Sequence, residues 1–288
     1  MSEEKIYEHI LVEYPKKFDK DGNLIREGID GNYAVISINR PDKLNAIQHK
    51  TIKEIAEALE DFELDPDVRC VVLRGTKDFT KKPSFSTGAD LSAPMDPRIK
   101  PNIPAHMTLL IHQYHRCFDS MESFPKPLIA AVDGYALGGG TELCLVCDMT
   151  ISSKRSVFGF TEIQRGIFPS AGGTQRMIRH IGLARTTQML YLGEHHSAEQ
   201  MFQWGLINFL VDANEFEEKV HELAKRIGNS ATTSLMVIKK ALRYGTQVPL
   251  NIGLQFEQLG FGVNSASQDV AEGIRAFLRR KEPDFKGL

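Results

Sequence analysis

The amino-acid sequence predicts an α/β fold organised on a parallel sheet. Three short apolar runs carry that prediction: residues 33–39, Cys70–Gly75 and Leu128–Val132. Stretches with helical spacing follow them, and strand-to-strand intervals of roughly 30–40 residues are the rhythm of parallel βα units. After residue 212 the strand signal fades and the chain reads as helices.

Each element has a local reason. Residues 1–32 read as peripheral; within them 15–23 is charged and turn-rich, with Asp21-Gly22 a hairpin signal. The run 33–39 is β-branched and partly alternating, and Pro41 ends it. Ile52, Ile55, Ala56, Leu59 and Phe62 then recur on one helical face, with Lys53, Glu54, Glu57 and Glu60 on the other. Cys70–Gly75 reads as a buried strand, followed by a polar loop to Asp90. Pro94, Pro97, Pro101 and Pro104 stiffen the next stretch. Met107, Leu110, Ile111, Tyr114, Phe118 and Met121 predict a helix over 105–121, stopped by Pro125 and Pro127. A third strand at Leu128–Val132 leads to Gly138, Gly139 and Gly140, which open a helix through Cys147; residues 149–152 are strand again. Phe216, Val220, Leu223, Ala224 and Ile227 form a helix, Gly228-Asn229-Ser230 breaks it, and 231–281 is a helical tail. A tail that cannot bury its own apolar stripe packs on the core or on another subunit.

Composition narrows the classes of function. The chain has 288 residues, 42% hydrophobic and 25% charged, with a formal net charge of −2. That balance provides no basic field for nucleic acid or anionic membrane. No stretch approaches the ~18 apolar residues of a membrane span, and no secretory leader is visible. Four cysteines are too few for a disulfide scaffold, so the expectation is a cytoplasmic, reduced protein.

The chemistry concentrates in three windows. Gly138-Gly139-Gly140 lies between a buried strand and a helix. Consecutive glycines there let a ligand approach the backbone and leave N–H groups at a helix N-terminus, where negative charge is stabilised. The dinucleotide and Walker A spacings are both absent, which leaves an oxyanion hole or another anion clamp. Glu142 sits in the first turn of that helix; Glu162 follows Phe158-Gly159-Phe160-Thr161, an apolar, aromatic setting that would raise its pKa. Phe85-Ser86-Thr87-Gly88-Ala89-Asp90-Leu91 is a small-residue turn with N–H groups to offer, and Pro169-Ser170-Ala171-Gly172-Gly173-Thr174 is a second glycine-rich entry to a helix.

Together with Asn39-Arg40-Pro41-Asp42-Lys43-Leu44-Asn45-Ala46, these windows resemble, in order and spacing, the enoyl-CoA hydratase/isomerase (crotonase) family over residues 33–288. The resemblance implies a spiral of ββα units over 1–228, with 1–32 a peripheral extension, and a helical segment at 229–288 that helps form a homotrimer or a dimer of trimers. It implies an oxyanion hole from the N–H groups of Ala89 and Gly139, and catalytic glutamates Glu142 and Glu162. Substrate-binding positions fall on Lys43, Ala46, Ser86, Gly88, Asp90 and Leu91, together with Gly138 and Ser170. Phe118 is expected as a wall of the acyl pocket, and Arg280 as a contact for the CoA nucleotide. Ser170 departs from the glycine usual in that turn. Met95, Ile99, Ile103 and Met107 are placed to close an apolar lid over a short acyl chain. The implied reaction is reversible syn hydration of a short-chain trans-2-enoyl-CoA, with no metal or redox cofactor, CoA being part of the substrate. Double-bond isomerisation on the same fold is the nearest rival, and an RNA-binding module a distant one.

Other features have plainer readings. Cys144-Leu145-Val146-Cys147 has no partner pair and reads as core cysteine rather than a zinc or redox site. His112 and His115 read as partly exposed helix residues, His195-His196 as loop, and Arg279-Arg280-Lys281 as a solvated helix end.

Overall fold

In the computed structural model, which describes residues 5–288, the apolar runs become two-faced strands. The chain begins with β1 (Ile10–Glu13), the hairpin β2 (Lys17–Phe18) and β3 (Leu24–Arg26), then β4 (Tyr33–Ile38) and α1 (His49–Glu63). Next come β5 (Cys70–Gly75), β6 (Ser84–Ser86), α2 (Pro104–Ser123), β7 (Leu128–Val132), β8 (Tyr135–Leu137) and α3 (Gly139–Val146). They are followed by β9 (Met149–Ser153), β10 (Val157–Gly159), α4 (Gly173–Ile181), α5 (Leu183–Leu192), β11 (His195–Ser197), α6 (Ala198–Trp204) and β12 (Phe209–Val211). The chain finishes with α7 (Phe216–Gly228), α8 (Thr232–Gly245), α9 (Leu250–Asn264) and α10 (Gln268–Leu278).

The large sheet has the order β1-β4-β5-β7-β9-β12, with β1 antiparallel and the rest parallel. A second sheet has the order β11-β10-β8-β6. The pairs β5/β6, β7/β8 and β9/β10 each place their first strand in the large sheet and their second in the small one. Each pair leads to a helix, so the chain winds as a spiral of ββα turns.

Period-two alternation explains why the central strands are apolar throughout. Ile36, Leu73 and Ala130 face a core that includes Phe62, Phe85, Phe118 and Phe158; their neighbours Val35, Val72 and Ile129 face a separate core covered by Phe216 and Val220 of α7. A parallel strand with both faces covered has no polar face to show.

Three expectations are corrected. Part of the 1–32 segment is not peripheral: β1 pairs with β4, Ile10 is buried, and the His9 N–H donates to Glu54 at 2.8 Å. The stretch expected as polar loop contains β6, and His195-His196 lies in β11, paired to β10 with His196 buried. These strands are three residues each, too short to show a period. The Asp21-Gly22 hairpin is present as β2–β3, with Gly22 at φ +85°. The C-x-x-C thiols lie in the core, each directed at the carbonyl four residues back, and burial pushes Cys147 up to about 12. No described helix is long and apolar enough to cross a membrane.

Candidate active site

The site is built where β8 and β10 end side by side. They are parallel, with Leu137 opposite Gly159, and the Gly138 N–H donates to the Gly159 carbonyl at 2.8 Å. From β8 the chain passes through Gly138 into α3; from β10 it passes into a 3-10 turn over Glu162–Arg165. Gly138 has φ +52°, and a Cβ there would stand 2.7 Å from Glu162 Oε1. Glycine at this position therefore lets the Glu162 carboxylate lie against the start of α3.

Glu142, on the first turn of α3, is 4% exposed. Its Oε1 accepts the N–H groups of Ala171 and Gly173, each at 2.8 Å, while Oε2 takes no hydrogen bond from a described residue. Burial raises its pKa to about 7; the neighbouring Glu162 charge adds to the rise, and the two N–H groups and Arg176 oppose it. Burial also raises Glu162, against its own backbone N–H and Arg165. Glu162 Oε2 is buried with no partner among the described residues. Such an oxygen is costly to leave charged and suits a proton carrier.

The turn that carries Ala89 packs against this helix start. Ile47 forms a parallel bridge with Ala89: its N–H donates to the Gly88 carbonyl and its carbonyl accepts from the Asp90 N–H, both at 2.8 Å. In such a bridge the flanking peptides make the bonds, so the Ala89 N–H faces the opposite way. Gly88 has φ +86°, and a Cβ on it would lie 3.1 Å from the Gly139 nitrogen. Gly139 is the first residue of α3, where an N–H has no acceptor within the helix. Two N–H groups with no acceptor among the described residues thus stand on adjoining backbones beside one buried and one half-buried carboxylate.

The remaining predicted residues divide. Ser86 Oγ accepts the Gly88 N–H at 3.1 Å and shapes the turn. Both oxygens of Asp90 are engaged, by Ser92 on one side and by Arg40 and Gln48 on the other, which holds its carboxyl well below the usual range. Asp90 is thus the anchor of the turn. The Ala46 carbonyl is taken by Arg40. Lys43 and Leu91 are exposed near this turn. Phe118 is fully enclosed in the core and offers no surface to a ligand. Met95 is exposed and Ile99, Ile103 and Met107 are half-buried, so in the single chain the proline-rich loop lies on the surface. Arg280 is exposed beyond α10, and no contact joins it to the glutamates.

Ser170 belongs to the turn that grips Glu142: its carbonyl accepts from His115 Nε2 at 2.6 Å. Arg176 braces the next carbonyl, Ala171, at 3.0 Å and is itself held by Glu122 at 2.6 Å, whose other oxygen takes Arg243 of α8 at 2.6 Å. Asn45, inside the recognised motif, donates to the Ser84 carbonyl at 2.7 Å. Sequence reasoning missed the structural roles of Arg176, His115 and Asn45, since their partners are remote in the chain. A cavity of about 230 Å³ at the carboxyl ends of β5 and β7 contains none of the predicted site residues. Its charges pair internally, Arg74 with Glu217 and Arg155 with Asp133.

These elements set two backbone N–H groups of a sheet-to-helix junction beside a pair of carboxylates. The family described as enoyl-CoA hydratase/isomerase matches residues 28–288, and the chain belongs to it. A 2,3-dehydroadipyl-CoA hydratase of Escherichia coli is 34% identical over 88% of this chain and 94% of its own length. A crotonyl-CoA hydratase of Syntrophomonas wolfei is 33% identical over 97% of this chain and 98% of its own. The crystal structure of an enoyl-CoA hydratase from Bacillus anthracis superposes with a TM-score of 0.84 at 31% identity, covering 98% of this chain and all of the other. The fold is the crotonase fold, and the chain is an enzyme of the hydratase class.

Proposed function

We propose that the protein catalyses reversible syn hydration of a short-chain trans-2-enoyl-CoA to the 3-hydroxyacyl-CoA. The observation that carries this reading is the pair of neighbouring carboxylates, one buried and gripped by two N–H groups, the other half-buried with an enclosed, unpartnered oxygen. In this mechanism the thioester carbonyl lies between the N–H groups of Ala89 and Gly139, which stabilise charge as it builds on oxygen. Glu142, ionised, takes a proton from a water whose oxygen bonds to C3. The C2=C3 π pair moves into the enolate, and Glu162, protonated, gives its proton to C2. Dehydration runs the same steps in reverse. The crotonyl-CoA substrate in the Syntrophomonas relative's name supports a short chain. A homotrimer, or a dimer of trimers, assembled through residues 229–288 belongs to the same proposal. It is supported by the apolar surface of α9, where Leu250, Leu259, Phe261 and Val263 are all at least 70% exposed in one chain.

The test is hydration of crotonyl-CoA, followed as loss of the conjugated double bond, alongside C8, C12 and 2,3-dehydroadipyl thioesters. A preference for the longer or dicarboxylic substrates overturns the short-chain assignment. Conversion of a 3-enoyl-CoA without uptake of water, and no hydration of any 2-enoyl-CoA, overturns hydration itself.

A further inference from the structure

The grip on Glu142 has a second end. The Ser170 carbonyl and the Ala171 N–H are the two poles of one trans peptide unit, so they point in opposite directions. The carbonyl accepts from His115 Nε2 at 2.6 Å; the N–H donates to Glu142 Oε1 at 2.8 Å. A carbonyl only accepts, so Nε2 carries the proton in this contact. The result is an unbroken line of hydrogen bonds from α2, through one peptide plane, to the carboxylate.

We propose that His115 is a positioning residue for Glu142, holding the 170–171 peptide so that its N–H stays aimed at the carboxylate. This rests on the reading of Glu142 as the base. A donor on the carbonyl end polarises the peptide and strengthens the bond its N–H makes, and it removes the peptide's freedom to rotate away. Arg176 braces the adjacent carbonyl of Ala171, but nothing except His115 holds that of Ser170 among the described residues. Position 170 is also where this chain departs from the glycine of its family's turn. The charged groups facing Glu142 are Glu162 from the 3-10 turn and Arg176 from α4, and Arg176 is in turn engaged by Asp119 and Glu122 of α2. His115 reaches the carboxylate only through the peptide.

The experiment compares His115→Leu, which keeps bulk without a donor, with His115→Gln, which restores one. His115 is exposed on its helix, so both variants are expected to fold. The first readout is the titration midpoint of Glu142, followed by NMR of glutamate labelled with 13C at the carboxyl carbon, its signal assigned by its loss in Glu142→Gln. The second is kcat and KM for crotonyl-CoA. Loss of the donor is expected to raise the midpoint by about 0.3 pH unit and lower kcat about threefold with KM unchanged, and the Gln variant to recover both. A midpoint unmoved in the Leu variant, or moved equally in the Gln variant, overturns the proposal. So does a loss confined to KM. Absence of hydration by the wild-type protein would overturn the hydratase reading instead, and the NMR titration, which needs no turnover, would still decide the role of His115.

Discussion

Replacing Glu142 by Gln separates catalysis from stability. The amide keeps an oxygen for the N–H groups of Ala171 and Gly173, so the turn at 170–173 retains its hold. It removes the proton acceptor, and loss of a positioned base lowers kcat by about 10²–10⁴. The same change should strengthen the fold. An acid whose pKa rises from 4.5 to about 7 on folding is protonated more readily in the folded state, so its ionisation costs stability as pH rises between those values. Above pH 7 the full cost is about 3 kcal/mol; at pH 5 it is under about 1 kcal/mol. Gln never bears that cost. Glu142→Gln should therefore unfold at least about 5 °C above wild type at pH 8.5, with most of the gap closed at pH 5. Thermal unfolding at both pH values, with crotonyl-CoA turnover on the same preparations, checks it. A variant within tenfold of wild-type kcat, or a stability gap independent of pH, would refute the reasoning.

The other expectations follow from the same geometry. Glu162→Gln should also lose about 10²–10⁴ in kcat, and the double variant little more than either single one, because both acids act on one substrate; steady-state kinetics of the three proteins test the non-additivity. In wild type, kcat/KM should fall as pH drops below about 7, where Glu142 takes up its proton, and a flat profile from pH 5 to 8 would contradict its role as base. Gly139→Pro deletes the N–H at the start of α3 and should cost at least about 3 kcal/mol of transition-state stabilisation, with circular dichroism confirming the fold. Gly138→Ala places a methyl group 2.7 Å from Glu162 Oε1 and should lower kcat more than it raises KM; equal turnover would mean that the carboxylate does not work from that position.

The candidate site is legible in the sequence because its signals are local. Three glycines before a helix, a glutamate in the first turn, and a second glutamate after an aromatic strand are each contained in about ten residues, and their order along the chain is specific. The large sheet was legible because strands buried on both faces are continuously apolar. What escaped depends on partners far away in sequence. Arg176 acquires its role from Glu122, which in turn meets Arg243, 121 positions on. The polar strand His195–Ser197 exists because β10 is beside it, and nothing in its own composition announces it. Phe118 fitted the helical face expected of it but faces inward completely, since periodicity gives the side of a helix and not the depth to which a side chain is enclosed.

The side-by-side endings of β8 and β10 give the site a ruler. Neighbouring strands are separated by about 4.8 Å, a distance fixed by backbone hydrogen bonds and insensitive to side chains. The start of α3 hangs from one strand and Glu162 from the next, so the offset between the Gly139 N–H and the Glu162 carboxylate is inherited from the sheet. Such a frame cannot be tuned by degrees. A mutation can change which group stands at a station, but sliding one station relative to the other would break the ladder. Variation is then easiest in the segments outside the ladder, 91–103 and 163–168. Leu91, Met95, Ile163 and Phe168 are already exposed there and free to vary without disturbing the ladder that sets Glu142 and Glu162 apart.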